Sequence, residues 1–114
     1  MYKRQLEEYL AAFKDEDTIH SSCEDYRAAA SIDIEHDDAD RGKKLGMPLL
    51  VLWAKFGVIE KCFKALDLWR LRADRVEGEA IDATHYMAEE IPIDIAKRMS
   101  DFFRLNTKYI TEIT

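Results

Sequence analysis

The chain has 114 residues, of which 47% are hydrophobic and 35% charged, and its formal net charge is −6. That length supports one small domain, and a chain of this size buries only about two-thirds of its unfolded surface, so a missing layer is felt. The acidic balance, with no basic stripe, argues against nucleic acid and against an anionic membrane as partners.

Cys23 and Cys62 have neither a CxxC spacing nor a secretory context, so they read as reduced thiols in a cytoplasmic protein. The start Met1-Tyr2-Lys3-Arg4 does not read as a signal peptide, and charges interrupt every apolar run before it reaches membrane-spanning length.

Tyr2, Leu6, Tyr9, Leu10 and Phe13 recur at helical spacing, with Lys3, Arg4, Glu7 and Glu8 opposite, which predicts an amphipathic helix. Asp15 to Thr18 offers an N-cap, and Ile19, Cys23, Tyr26 and Ala30 carry the stripe through a second helix ending near Ser31. The pair forms an αα-hairpin. On periodicity alone, Tyr26 and Arg27 are ordinary residues of a helix interface.

Asp33 to Asp40 is the most acidic stretch. A calcium loop of the EF-hand type needs alternating carboxylates, a central glycine and a closing glutamate, and no count from Asp33, Asp38 or Asp40 supplies that set. His36 among its carboxylates reads as part of a solvated charge run closing a helix. His20 and Cys23 form an HxxC pair without a second pair, so zinc is not expected either. The residues imply no metal and no cofactor.

Arg41 to Met47, with Gly42 and Gly46, reads as a linker. Pro48 to Trp53 is a continuous apolar run bounded by turn signals, which predicts a strand buried on both faces, as in a parallel sheet. Ala54 to Lys64 reads as a loop containing Gly57, and Ala65, Leu66, Trp69 and Ala73 mark a short helix. A second strand is expected over Val76 to Ile81. Pro92 then stands at a first helical position, with Glu89 and Glu90 at the positive end and Ile95, Met99, Phe102 and Phe103 as the buried face. Asn106 to Thr114 is a polar, β-branched tail.

His85 falls in the loop between the second strand and the last helix. In open α/β sheets the ligand crevice lies outside the carboxyl ends of the strands, where such a loop reaches both solvent and substrate. The plain alternative is a surface histidine without a role. Two parallel strands do not make a stable sheet, and the Leu49 to Trp53 run is apolar enough to want neighbours on both edges. The sequence therefore reads as the end of something larger.

Three stretches carry a resemblance. Cys23-Glu24-Asp25-Tyr26-Arg27-Ala28-Ala29 followed by Asp33 to Asp38, then Leu49 with Val51-Leu52-Trp53, then His85-Tyr86 with Glu89-Glu90 and Pro92, closely resemble the C-terminal portion of α/β-hydrolases of the haloacetate (fluoroacetate) dehalogenase group, near relatives of epoxide hydrolases. The match runs from about Thr18 to Phe103. It implies an α/β fold of two parallel strands with flanking helices, preceded by a helical piece of the cap. The layout expected is residues 1–40 as the end of the cap, 41–47 as linker, 48–105 as the last two βα units, and 106–114 as tail.

The resemblance implies that His85 matches the catalytic histidine, which activates water to hydrolyse an ester on an aspartate nucleophile. It also implies that Tyr26 matches a cap tyrosine whose hydroxyl helps hold the departing halide. Thr84 and Ala54 stand where the family usually has glycine. No G-x-S-x-G or G-x-D-x-G nucleophile elbow occurs in the sequence, nor an orienting acid or oxyanion loop, so the chain alone is expected to be inactive. The ligands implied are a small haloacid or an epoxide in an intact enzyme, and the protein partners are an N-terminal hydrolase portion or a second copy. A non-catalytic piece that binds another chain through its first strand or helical hairpin is the alternative.

Overall fold

The structure, a computed structural model, describes residues 3–107. Contacts divide the chain into two compact units, Met1–Arg41 and Gly42–Thr114.

The first unit is helical: α1 (Lys3–Ala12), α2 (Glu16–Ala29) and α3 (Ile32–Ala39). Asp15 caps α2, its carboxylate accepting from the Asp17 amide at 2.9 Å. The acidic run does not close α2, as the sequence suggested, but forms α3, a helix of its own. The chain breaks at Ala30 and Ser31, where both amides still donate to the last turn of α2 and the Ser31 hydroxyl donates to the Arg27 carbonyl at 2.7 Å. Asp33 and Glu35 in the first turn of α3 suit its positive end. No described residue of this unit is buried, and Leu6 and Leu10 of α1 and Phe13 just after it remain exposed.

The second unit runs β1 (Leu45–Ala54), α4 (Val58–Cys62), α5 (Ala65–Arg70), β2 (Ala73–Ile81), α6 (Met87–Glu90) and α7 (Pro92–Leu105). Its two strands pair in parallel, with Leu49 opposite Val76, Val51 opposite Gly78 and Ala54 opposite Ile81. β1 takes in Leu45, Gly46 and Met47, which the sequence pattern assigns to the linker, and β2 starts three residues earlier than Val76. The register shifts between Leu45 and Pro48, where proline lacks an amide for the ladder. Backbone pairing outruns the apolar pattern at both strand starts, because the Leu45 amide donates to the Arg72 carbonyl at 2.8 Å regardless of side chain. The expected loop after Ala54 contains α4, a short helix beside β1 whose Val58 and Ile59 remain exposed.

Gly78 leaves no room for a side chain between the two strands. A Cβ added there would meet the Val51 carbonyl oxygen at 1.8 Å, which no side-chain shift relieves. The core is small: Val51, Ala54, Ala65, Ala73, Ile81 and Ala83. Of the Leu49 to Trp53 run only Val51 is buried, and the rest are half-buried, so the expectation of two covered faces is not met among the described residues. α7 is tied to the sheet by Arg98, which pairs with Glu79 of β2 and, at 2.8 Å, with Asp94 one turn back. Ile95 and Phe102 on α7 are half-buried, whereas Met99 and Phe103 are exposed. Asn106 closes α7, its side-chain amide donating to the Phe102 carbonyl at 2.9 Å. The rest of the expected tail, 108–114, lies outside the described residues.

Candidate active site

Both strands end at the same level, and the loops that leave them are stitched to each other. The Lys55 amide donates to the Ile81 carbonyl at 2.8 Å, continuing the ladder one residue past β1. The Phe56 amide reaches the Ala83 carbonyl at 3.4 Å, and the Lys55 ammonium stands 3.9 Å from Asp82. After β1 the chain turns sharply, with the Gly57 amide donating to the Ala54 carbonyl at 3.0 Å. A Cβ on Gly57 would lie 3.2 Å from both the Ala54 Cβ and its carbonyl oxygen. The alanine in place of the family's glycine at 54 is therefore accommodated by a glycine three residues on. Glu60, the first carboxylate after the strand, accepts a hydrogen bond from the Trp53 indole.

After β2 the Ala83 amide donates to the Ile81 carbonyl at 2.7 Å, a tight turn that buries Ile81 and Ala83 and lifts the chain outward. Thr84 comes next, and both its polar groups go to one carboxylate: its amide donates to Glu90 Oε2 at 3.0 Å and its hydroxyl to Glu90 Oε1. His85 is then exposed, its ring edge-on to Tyr86 with centroids 5.5 Å apart and planes at 78°. Among the described residues no carboxylate hydrogen-bonds or ion-pairs with the His85 ring. The imidazole borders a cleft of about 630 Å³ whose walls are mostly apolar, including Trp53, Phe56, Val58, Ile59 and Met87, with Lys61 and Thr84 as other polar members. This lies at the carboxyl ends of the parallel strands, where ligands bind in α/β folds.

Tyr26 is on α2 in the first unit, 81% exposed, and His85 belongs to the second. Among the described residues no group of three or more His, Cys, Asp or Glu side chains is placed to hold a metal ion. The Thr84 and Glu90 pairing is not legible in the sequence. Glu90 reads as a charge suited to a helix start, and nothing in a spacing of six residues across a loop announces a hydrogen-bonded partner.

The two Thr84 hydrogen bonds, the hydroxyl's first, hold the Glu90 carboxyl below its ordinary 4.5. The Lys97 ammonium does the same for Asp101 on α7. A carboxylate whose folded value is depressed adds stability above its unfolded value and loses it as pH falls through the folded one. The melting temperature of the chain is expected to fall as pH drops below about 4.5, and a Glu90→Gln variant to show a shallower fall. Circular dichroism melts over that range check it; an equal slope in both proteins would remove Glu90 from the acid response.

A fluoroacetate dehalogenase from Burkholderia sp is 33% identical over 98 residues, covering 86% of this chain and 32% of that protein. Among solved structures, a candidate acyltransferase from Salmonella enterica superimposes with a TM-score of 0.86 at 33% identity, over 91% of this chain and 35% of its own. A candidate α/β-hydrolase from Nostoc sp PCC 7120 gives 0.86 at 39% identity, over 90% and 35% of the two chains. A candidate epoxide hydrolase from Pseudomonas aeruginosa gives 0.83 at 34%, over 95% and 37%. No protein-family model matches the chain.

Two parallel strands with flanking helices, matched at this level to about a third of each relative's length, make the chain a C-terminal portion of the α/β-hydrolase fold. Its similarity is to fluoroacetate dehalogenase and to an epoxide hydrolase, as the CEDYRA, LW and HY motifs implied. No helix among the described residues is long and apolar enough to cross a membrane.

Proposed function

We propose that this chain supplies the catalytic base and part of the cap of a hydrolase that cleaves the carbon–halogen bond of a short haloacid. The observation that carries the reading is the position of His85, exposed on the turn after β2 at the rim of a mostly apolar cleft. In the reaction an aspartate outside these residues displaces halide from carbon and forms an alkyl ester. His85 then takes a proton from water as the water attacks the ester carbonyl, releasing the 2-hydroxy acid and regenerating the carboxylate. Imidazole suits the task because its unperturbed pKa lies near neutrality. Tyr26 supplies one hydroxyl donor to the departing halide. The cytoplasm is the compartment that suits two free thiols.

An epoxide is the second reading, favoured by the similarity to an epoxide hydrolase. The same base serves it, since ring opening also passes through an aspartyl ester. Mixing the chain with an N-terminal dehalogenase portion and assaying fluoroacetate, chloroacetate and a short epoxide separates the two. Halide release without epoxide opening supports the first, and the reverse supports the second.

The chain alone is expected to release no halide from either haloacid above a His85→Ala control, because a base without a nucleophile has no ester to hydrolyse. An ion-selective electrode reads this directly. Release that depends on His85 would require a nucleophile among residues with a purely structural role.

A further inference from the structure

Thr84 commits both of its polar groups to Glu90, so an exposed loop residue is held at two points by one carboxylate. A neutral loop residue satisfies its amide with water and leaves its side chain free. Here the amide and hydroxyl take one carboxylate as a two-pronged clamp, the amide at 3.0 Å. The residue so held is the one before His85. The residue that holds it ends α6 and is followed by Ile91 and Pro92, which open α7. α7 is fixed in turn to β2 through Arg98 and Glu79. On its other side the loop is anchored by the Ala83 amide on Ile81 and by the Phe56 amide on Ala83. Among the described residues the His85 ring has an edge-on contact with Tyr86 and no hydrogen-bond partner, so its backbone orientation depends on these anchors.

We infer that Glu90, acting through Thr84, is a positioning residue for His85: the clamp fixes the peptide from which the imidazole projects and so sets its aim over the cleft. The inference rests on the reading of His85 as the base. It adds that a threonine in place of the family's glycine supplies a second prong that glycine lacks. Carboxylate hydrogen bonds of this charge-assisted kind are the stronger class, and two to one group fix direction as well as distance. A base misaligned by an ångström loses rate steeply, which is why such a clamp matters for hydrolysis of the ester and not for its formation.

The test uses the chain itself, labelled for NMR, with His20 and His36 distinguished from His85 by a His85→Ala control. In the wild-type chain the His85 amide is expected to be as ordered on the nanosecond timescale as Val51 in the sheet. Glu90→Ala and Thr84→Val should lower order at His85 and Tyr86 while leaving Val51 and Gly78 unchanged. Thr84→Ser should keep the wild-type value, and Thr84→Val, which retains the amide prong alone, should fall between wild type and Glu90→Ala. Unchanged order at His85 in Glu90→Ala overturns the inference. So does loss of order throughout the sheet, since that would make Glu90 a general stabiliser.

A second measurement separates this inference from the role of His85. In the complex with an N-terminal dehalogenase portion, Glu90→Ala should leave the first halide release per site at its wild-type rate and slow later turnovers about 10-fold or more. Equal slowing of both phases would overturn positioning. Fast later turnovers in His85→Ala would overturn the base assignment instead, whatever Glu90 does.

Discussion

In a complex of this chain with an N-terminal dehalogenase portion, His85→Ala is expected to release about one halide per active site and then stop. The first step needs only the aspartate and a halide site, so the alkyl ester forms. The second step needs a proton removed from water, and general-base contributions of this kind are about 10²–10⁴-fold. Intact mass of the N-terminal portion in the stalled complex should carry the added carboxymethyl group, and steady-state release should fall by that factor or more. Tyr26→Phe is the converse. Loss of one hydroxyl donor to a departing anion should slow ester formation, by up to about 10²–10³-fold if the donor is fully engaged, while a preformed ester hydrolyses at its wild-type rate. Rapid-quench counting of halide and of ester distinguishes the two variants. Continued multiple turnovers by His85→Ala would mean that the base is another residue.

The largest stability effect is expected at Gly78. A side chain there would place carbon 1.8 Å from the Val51 carbonyl oxygen, and the obstacle is backbone, so relief requires β1 and β2 to separate. Those strands hold the largest share of the core, including Val51, Ala54, Ala73 and Ile81. Gly78→Val should destabilise the second unit by about 3 kcal/mol or more, a large fraction of the roughly 5–15 kcal/mol typical of a small domain. Urea unfolding followed by tryptophan fluorescence suits the measurement, since Trp53 is on β1. Gly46→Val is the control, because nothing lies within 4 Å of a Cβ there. A Gly78→Val midpoint equal to that of Gly46→Val would contradict the close approach.

How much of the fold and site is readable from sequence depends on the kind of signal. The Leu49 to Trp53 run and Val76 to Ile81 are legible as parallel strands because apolar side chains and turn residues mark them. Their earlier starts, at Leu45 and Ala73, are not, because the pairing there is backbone to backbone. α3 is hidden by its charge, since helical hydrogen bonding does not need an apolar stripe and Asp33 and Glu35 favour its first turn. α4 is hidden by Gly57, which reads as a loop but serves as the N-cap of the helix. His85 is legible as a loop residue after a strand, and its proposed role comes from resemblance. The clamp on Thr84 is illegible because it joins residues six apart across a loop, a spacing that no helix or strand repeat selects.

The most direct measurement is a titration of this chain into a fixed amount of an N-terminal dehalogenase portion that carries the nucleophile and orienting acid, read as fluoride released from fluoroacetate. β1 would regain a neighbour along its free edge, burying apolar surface at about 25 cal/mol per Å² and bringing His85 to the ester. Release should rise with added chain, reach its plateau at one equivalent, and be absent with His85→Ala beyond the first turnover. A one-to-one complex seen by native mass that releases no fluoride at any ratio would contradict the account.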